Sequence, residues 1–317
     1  MRIVMMGTGH FAEPTFVALL QSRHTVAGLV ANPDRPSGRE REMVRTIKKI
    51  ALAHGVPVFQ PEKINSPEGI AGLRAFAPDL LVVAAYGQIL APEVLAVAPL
   101  GGINVHASLL PKYRGAAPVA WAIYHGETHT GITIIRMSPQ MDAGDILAQE
   151  IVAIHPEETA GELEARLAEV GARLALQVIE QLESGQVRAI PQDPTQATRA
   201  PKLKKEHGLI DWSRSAPQVV NQIRAMQPWP TAYTFWHRAG KPPLRLIIRK
   251  ARAVPGNSSA IPGTIVKVSP DTVEVASGDG LVALVQVQPA GGKIMEITDF
   301  LRGHRMAVGD RLGAETL

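Results

Sequence analysis

Leu80-Leu81-Val82-Val83-Ala84-Ala85 sets six apolar side chains in a row and then stops at Tyr86-Gly87-Gln88. A strand with one wet face alternates polar and apolar residues. An unbroken run of this kind suits a strand buried on both faces, as in a parallel sheet covered by helices. Working outward, Ile3–Met6 and Val26–Ala31 read as strands before it, and Ile103–His106 and Ile132–Met137 as strands after it. Helical patterns fall between them, at Glu13–Gln21 and at 67–76, where Ser66 suits an N-cap and Pro67 the first helical position. This order predicts an α/β fold, a doubly wound, mostly parallel, Rossmann-like sheet.

A long amphipathic helix closes the first domain. Thr159 and Glu162 have capping-box spacing, Leu163, Leu167, Val170, Leu174, Val178 and Leu182 recur every three or four residues, and Gly185 follows. A stretch rich in Pro, Gln, Thr and Ala, 191–201, reads as a linker. Beyond it come a helix at 216–226 and short alternating runs at 244–248, 264–268, 273–276 and 281–287, divided by turn residues. Those runs predict a small C-terminal β-barrel, OB-like in size. The expected domains are 1–188 and 207–317, with 189–206 between them.

The chain has 317 residues and a net charge of +4. It has no cysteine, which excludes disulfides and thiolate chemistry and fits a cytoplasmic location. No apolar run is long enough to span a bilayer, and the start Met1-Arg2-Ile3-Val4 enters a strand at once, so neither membrane nor targeting segment is expected. Basic residues crowd two places: Arg35, Arg39, Arg41, Arg45, Lys48 and Lys49, and then Lys202, Lys204 and Lys205. Each cluster read alone is equally a solvated face.

Four motifs lie where parallel strands end. Asn104 and His106 alternate onto one face of their strand, which breaks at Leu110-Pro111. Taken locally, they are either a site at the carboxyl edge of the sheet or two solvated polar residues. Met141-Asp142-Ala143-Gly144-Asp145 is a turn whose carboxylates could orient an imidazole or hold it charged. Tyr86-Gly87-Gln88-Ile89-Leu90 borders the same edge, as a cleft wall or a connecting loop. Gly7-Thr8-Gly9-His10-Phe11-Ala12 matches G-x-G-x-x-A, a dinucleotide fingerprint that would imply a nicotinamide-dependent oxidoreductase. The second strand ends Val30-Ala31-Asn32-Pro33-Asp34, without the acidic tip such enzymes carry, so a tight turn without nucleotide is the better reading. The remaining histidines, His24 and His304 among them, read as loop or surface positions without metal-ligand spacing.

Asn104-x-His106-x-Ser108-Leu109-Leu110-Pro111-x-Tyr113-Arg114-Gly115, followed by Met141-Asp142-x-Gly144-Asp145, resembles the signature of formyltransferases that use 10-formyltetrahydrofolate. Pro33-Asp34-Arg35-Pro36, Pro57-Val58-Phe59-Gln60-Pro61 and Tyr86-Gly87-Gln88 match the same family in order. Past the linker, Pro201-Lys202-Leu203, Ile210-Asp211-Trp212, Ile223-Arg224-Ala225 and Pro228-Trp229-Pro230 resemble the members that formylate charged initiator tRNA, and not those that act on nucleotides or amino sugars.

The resemblance implies 10-formyltetrahydrofolate as co-substrate, methionyl initiator tRNA as partner, and no metal. It implies Asn104, His106 and Asp142 as the catalytic set. A free amine attacks the formyl carbon, and Asn104 with a charged His106 would face the oxygen that gains negative charge. Asp142 would keep His106 charged and, through a water, receive the amine's proton. Ser108, Leu109, Leu110 and Pro111 would line one side of the folate site, and Tyr86, Gly87, Gln88, Ile89 and Leu90 the other. The first basic cluster corresponds to the family's tRNA-contacting loop. Where members commonly read Gly-Arg-Gly-Lys-Lys, this chain has Gly38-Arg39-Glu40-Arg41-Glu42. Arg39, Arg41, Lys202 and Lys204 are the implied tRNA contacts, with the C-terminal barrel gripping the tRNA stem.

Overall fold

A computed structural model describes residues 1–34 and 39–316, with 39–45 described as helical backbone alone. In chain order the elements are β1 (Arg2–Gly7), α1 (Glu13–Gln21), β2 (Thr25–Val30), α2 (Arg39–Ala53), β3 (Val58–Phe59), α3 (Pro67–Arg74), β4 (Leu80–Ala84), α4 (Pro92–Leu95), β5 (Gly102–His106), β6 (Arg114–Gly115), α5 (Pro118–Tyr124), β7 (His129–Arg136), β8 (Ile146–Ala153) and α6 (Ala160–Glu183). There follow β9 (Arg199–Ala200), α7 (Ala216–Ala225), β10 (Tyr233–Arg238), β11 (Lys241–Val254), β12 (Ile265–Ser269), β13 (Thr272–Ala276), β14 (Leu281–Pro289), β15 (Met295–Glu296), α8 (Ile297–Gly303) and β16 (Arg311–Gly313). They form two compact units, one of residues 1–118, 129–153 and 162–201, the other of 119–128, 154–161 and 202–317.

The first unit is built on a sheet of order β3-β2-β1-β4-β5-β7-β8. The pairs from β3 through β5 are parallel, whereas β7 and β8 run antiparallel at the far edge. Along β1, Ile3 and Met5 alternate with Val4 and Met6, and all four have no exposed surface. Both faces of the central strands are therefore covered, as the unbroken apolar runs require. One face packs Val4, Met6, Leu81 and Val83 with Ile64 and Leu73. Ser66 Oγ accepts from Gly69 N–H at 3.1 Å and caps α3.

Three expectations needed revision here. The basic stretch read as a loop is helical from Arg39, because its Glu, Arg, Lys, Ile, Leu and Ala residues favour a helix and Ile47 and Ala51 bury one face of it. His24, read as a surface residue, is buried just before β2. The stretch 191–200, linker-like in composition, is hydrogen-bonded into this unit, with β9 parallel to β6.

The second unit is an antiparallel sheet of order β12-β13-β14-β11-β10-β16, with β15 beside β14. A bridge between Thr264 and Arg311 joins the two ends, and Leu312 N–H donates to Gly263 O at 2.7 Å, closing the sheet into a small barrel. Trp236 is buried against Phe300, which stacks on His304 with ring centroids 4.2 Å apart. Trp212 of the Ile210-Asp211-Trp212 motif is buried and donates Nε1–H to Thr234 Oγ1 at 3.1 Å. No helix among the described residues is long and apolar enough to cross a membrane.

Candidate active site

Strand β5 lies between β4 and β7 and delivers Asn104 and His106 to one face, two residues apart. Residues 137–145, which join β7 to β8, fold back so that Asp142 meets both. Asn104 Nδ2 donates to Asp142 Oδ1 at 3.4 Å, and His106 Nδ1 lies 3.7 Å from the same oxygen. The amide, the imidazole and the carboxylate thus converge, with the His106 and Asp142 side chains only 6% and 13% exposed.

The ring has a fixed orientation. His106 Nε2 lies 3.0 Å from Tyr113 O, and a carbonyl only accepts, so Nε2 carries a hydrogen. Any second proton on the ring sits on Nδ1, beside the carboxylate. Asp142 is anchored from the other side by Gly115 N–H, which donates to Oδ2 at 2.9 Å. Its backbone is in the left-handed region, φ 50°, as is that of Tyr113, φ 62°. Asp adopts this conformation more readily than most L residues. The contacts from Asn104 and His106 are long, the one from Gly115 is short. The carboxylate is thus held closely by one main-chain amide and loosely by two side chains.

The loop after β5 is held by polar side chains below it. Thr133 Oγ1 donates to Ser108 O at 2.6 Å and accepts from Leu110 N–H at 3.1 Å, and Gln149 Nε2 donates to Leu110 O at 2.7 Å. Ser108 Oγ donates to Lys112 O at 2.7 Å, crossing the loop.

Residues 1–179 match the family described as formyl transferase, and residues 202–305 match its C-terminal domain. This chain belongs to the formyl transferase family. It is 44% identical over 314 residues to the methionyl-tRNA formyltransferase of Solibacter usitatus, covering 99% of both chains. It is 43% identical over 314 residues to that of Alkaliphilus oremlandii, covering 99% of this chain and all of the relative. Among solved structures, the sugar 3N-formyl transferase WlaRD superposes with a TM-score of 0.66 at 16% identity, over 92% of this chain and 99% of its own. HypX from Aquifex aeolicus, in complex with tetrahydrofolic acid, gives 0.62 at 17% identity over 95% of this chain and 47% of its own. These two likenesses concern the fold.

Within this formyl transferase the other sequence-selected residues fall as follows. Ser108 and Leu110 are buried, while Leu109 and Pro111 are half-buried. Tyr86 and Leu90 belong to the apolar core with Ile64 and Leu73, so the surface at the end of β4 is made by Gly87, Gln88 and the 62%-exposed Ile89. Burial pushes the Tyr86 phenol above its ordinary range, and its hydroxyl has no hydrogen-bond partner among the described residues. Asn32 Nδ2 donates to Tyr86 O at 2.7 Å, and Gln88 Nε2 donates to Asn32 Oδ1 at 3.3 Å, tying this loop to the end of β2. The side chains of Arg39 and Arg41 lie outside the described residues. Lys202 and Lys204 are exposed in the second unit.

The glycine fingerprint has a packing explanation. A Cβ on Gly7 would come within 2.7 Å of both Ala12 Cβ and Ala84 O, so the residue lets α1 and β4 approach β1. The position where a dinucleotide enzyme needs a carboxylate holds Asn32, already engaged with Tyr86 and Gln88. Among the described residues no group of three His, Asp or Glu side chains is placed to hold a metal ion. The Tyr113 carbonyl and the Gly115 amide, which hold His106 and Asp142, were not singled out from the sequence although both lie inside the quoted motif, because main-chain atoms leave no residue-type signal.

Proposed function

We infer that this chain transfers the formyl group of 10-formyltetrahydrofolate to the free amine of methionyl initiator tRNA, in the cytoplasm. The observation that carries the reading is the convergence of Asn104, His106 and Asp142 in a chain alignable end to end with methionyl-tRNA formyltransferases. The folate, when bound, supplies an activated formyl carbon. The donor set suits that group, since the Asn104 amide hydrogens can leave their long contact with Asp142 for an oxygen gaining negative charge. His106, its Nε2–H held by Tyr113 O, keeps Nδ1 toward the carboxylate and assists as an oriented donor when charged. Asp142, fixed by Gly115 N–H, accepts the proton that the attacking amine must lose. Exposed Ile89 and Met141 are apolar surface that a flat heterocycle would cover. In the proposal the two walls of this folate site are the segments 108–111 and 86–90, presented through the half-buried Leu109 and Pro111 on one side and Gly87, Gln88 and Ile89 on the other, with Ser108, Leu110, Tyr86 and Leu90 buried behind them.

Arg39, Arg41, Lys202 and Lys204 are the proposed tRNA contacts, aided by a barrel face on which Arg245 lies 4.2 Å above the Tyr233 ring. The test is a formylation assay that offers charged initiator tRNA and amino sugars in parallel. Transfer to the tRNA amine is expected, and transfer to sugars alone would overturn the assignment.

A further inference from the structure

One side-chain amide holds the turn that carries Asp142. Gln192 Nε2 donates to Asp142 O and to Gly144 O, both at 2.8 Å. Its Oε1 accepts from Arg114 Nε at 3.1 Å and Arg114 Nη2 at 2.7 Å. A guanidinium offers only donors and carbonyls only accept, so the amide has a single workable orientation. The chain then continues from Gln192 to β9, which pairs with β6 and sets Gly115 under the Asp142 carboxylate. Tyr113 N–H donates to Thr198 Oγ1 at 2.8 Å, steadying the residue whose carbonyl orients His106. Asp142 is gripped at both ends: its carboxylate by Gly115, its carbonyl by Gln192. That grip falls on a left-handed residue, a backbone conformation that persists where its surroundings hold it.

We propose that Gln192, oriented by Arg114, is a positioning residue for formyl transfer, fixing the turn 142–144 so that the Asp142 carboxylate stays against Asn104 and His106. The proposal rests on the formyl-transfer reading of that site. It gives a stretch composed like a linker a part in the reaction.

Two variants of the full chain test it. Gln192→Ala removes all four hydrogen bonds. Gln192→Glu keeps an acceptor for Arg114 but sets a carboxylate oxygen against the two carbonyls. A shift of about 1 Å in a reacting group costs about 10²-fold, so kcat is expected to fall between about tenfold and 10²-fold in both variants. KM for the folate and for the tRNA should stay within about threefold, since neither substrate is bound by this amide. The double variant Asp142→Asn/Gln192→Ala, measured in single turnover with enzyme in excess, should be slower than Asp142→Asn alone by less than about twofold, because no carboxylate remains to be positioned. An unchanged kcat in Gln192→Ala, a loss confined to KM, or a full multiplicative loss on top of Asp142→Asn would each overturn the proposal. A parent enzyme that fails to formylate charged initiator tRNA would strike instead at the reaction assignment. The melting temperature of Gln192→Glu, read beside that of Gln192→Ala, separates loss of fold from loss of position.

Discussion

Asp142 combines a charge with a left-handed backbone, and asparagine is the one other side chain of its shape that tolerates both φ 50° and the contact with Gly115 N–H. Asp142→Asn therefore removes the charge and leaves the turn in place. Turnover is expected to fall between about 10²-fold and 10⁴-fold, the range for a lost general base, with the melting temperature and folate affinity unchanged. An unaltered kcat would remove the carboxylate from the reaction. Asn104→Ala takes away a donor aimed at developing charge and should cost about 3 kcal/mol of barrier, or ~10²-fold in kcat, with little effect on folate binding measured by calorimetry. Strand periodicity put Asn104 and His106 on one face and turn chemistry marked 141–145 as a loop, but the choice of this trio came from the resemblance, since those local rules fit solvated polar residues equally well. Their distances were not legible in the sequence, because Asn104 and Asp142 stand 38 positions apart in the chain and only tertiary contacts bring them together.

The elements that carry the site differ in how plainly they announce themselves. Strands β1, β2, β4 and β5 and helices α1, α3, α6 and α7 show in the sequence because apolar patterning and chain breakers agree along them, with cap residues added at α3, α6 and α7. The two-residue strands β6 and β9 have no period to read, and β10 mixes aromatic and basic residues just beyond a proline-rich turn. Helix α2 was hidden behind its own charge, since a row of arginines and glutamates resembles a solvated loop as much as a helix face. The hairpin β7–β8 shows what such short-range geometry is worth. A Cβ on Gly144 would lie 1.7 Å from Arg136 O, at the point where Arg136 N–H also donates to Asp145 O at 2.9 Å. Gly144→Ala must open that closure, at a cost of about 3 kcal/mol, the upper end for overpacking. Thermal unfolding should report the loss. Activity at a permissive temperature should fall as well, because the opened turn includes Asp142. Full activity in a folded Gly144→Ala protein would detach the hairpin from the site.

Over the whole molecule the net charge of +4 is too small for long-range attraction to decide how a polyanion binds, so local clusters must. The exposed lysines at 202, 204 and 205 form one such cluster, yet they are not equivalent. Lys204 Nζ lies 3.7 Å from Glu206 Oε1, and both side chains are about two-thirds exposed, so the pair adds little to stability and mainly offsets the lysine's charge. Each phosphate neutralised by a cation contributes a slope of about 0.9 to the fall of log affinity with log salt on duplex, or about 0.7 on single strands. Lys202→Ala should therefore flatten the salt dependence of initiator-tRNA binding by nearly one, and Lys202→Ala/Lys204→Ala by somewhat under two. Glu206→Gln, which frees the Lys204 ammonium, should tighten binding at low salt and steepen the slope. Filter binding of charged tRNA across a salt series measures all three, with the KM for folate as the control that should not move. Equal weakening at every salt concentration, with the slope preserved, would mean that these lysines meet no phosphate and that the tRNA backbone is held elsewhere on the chain.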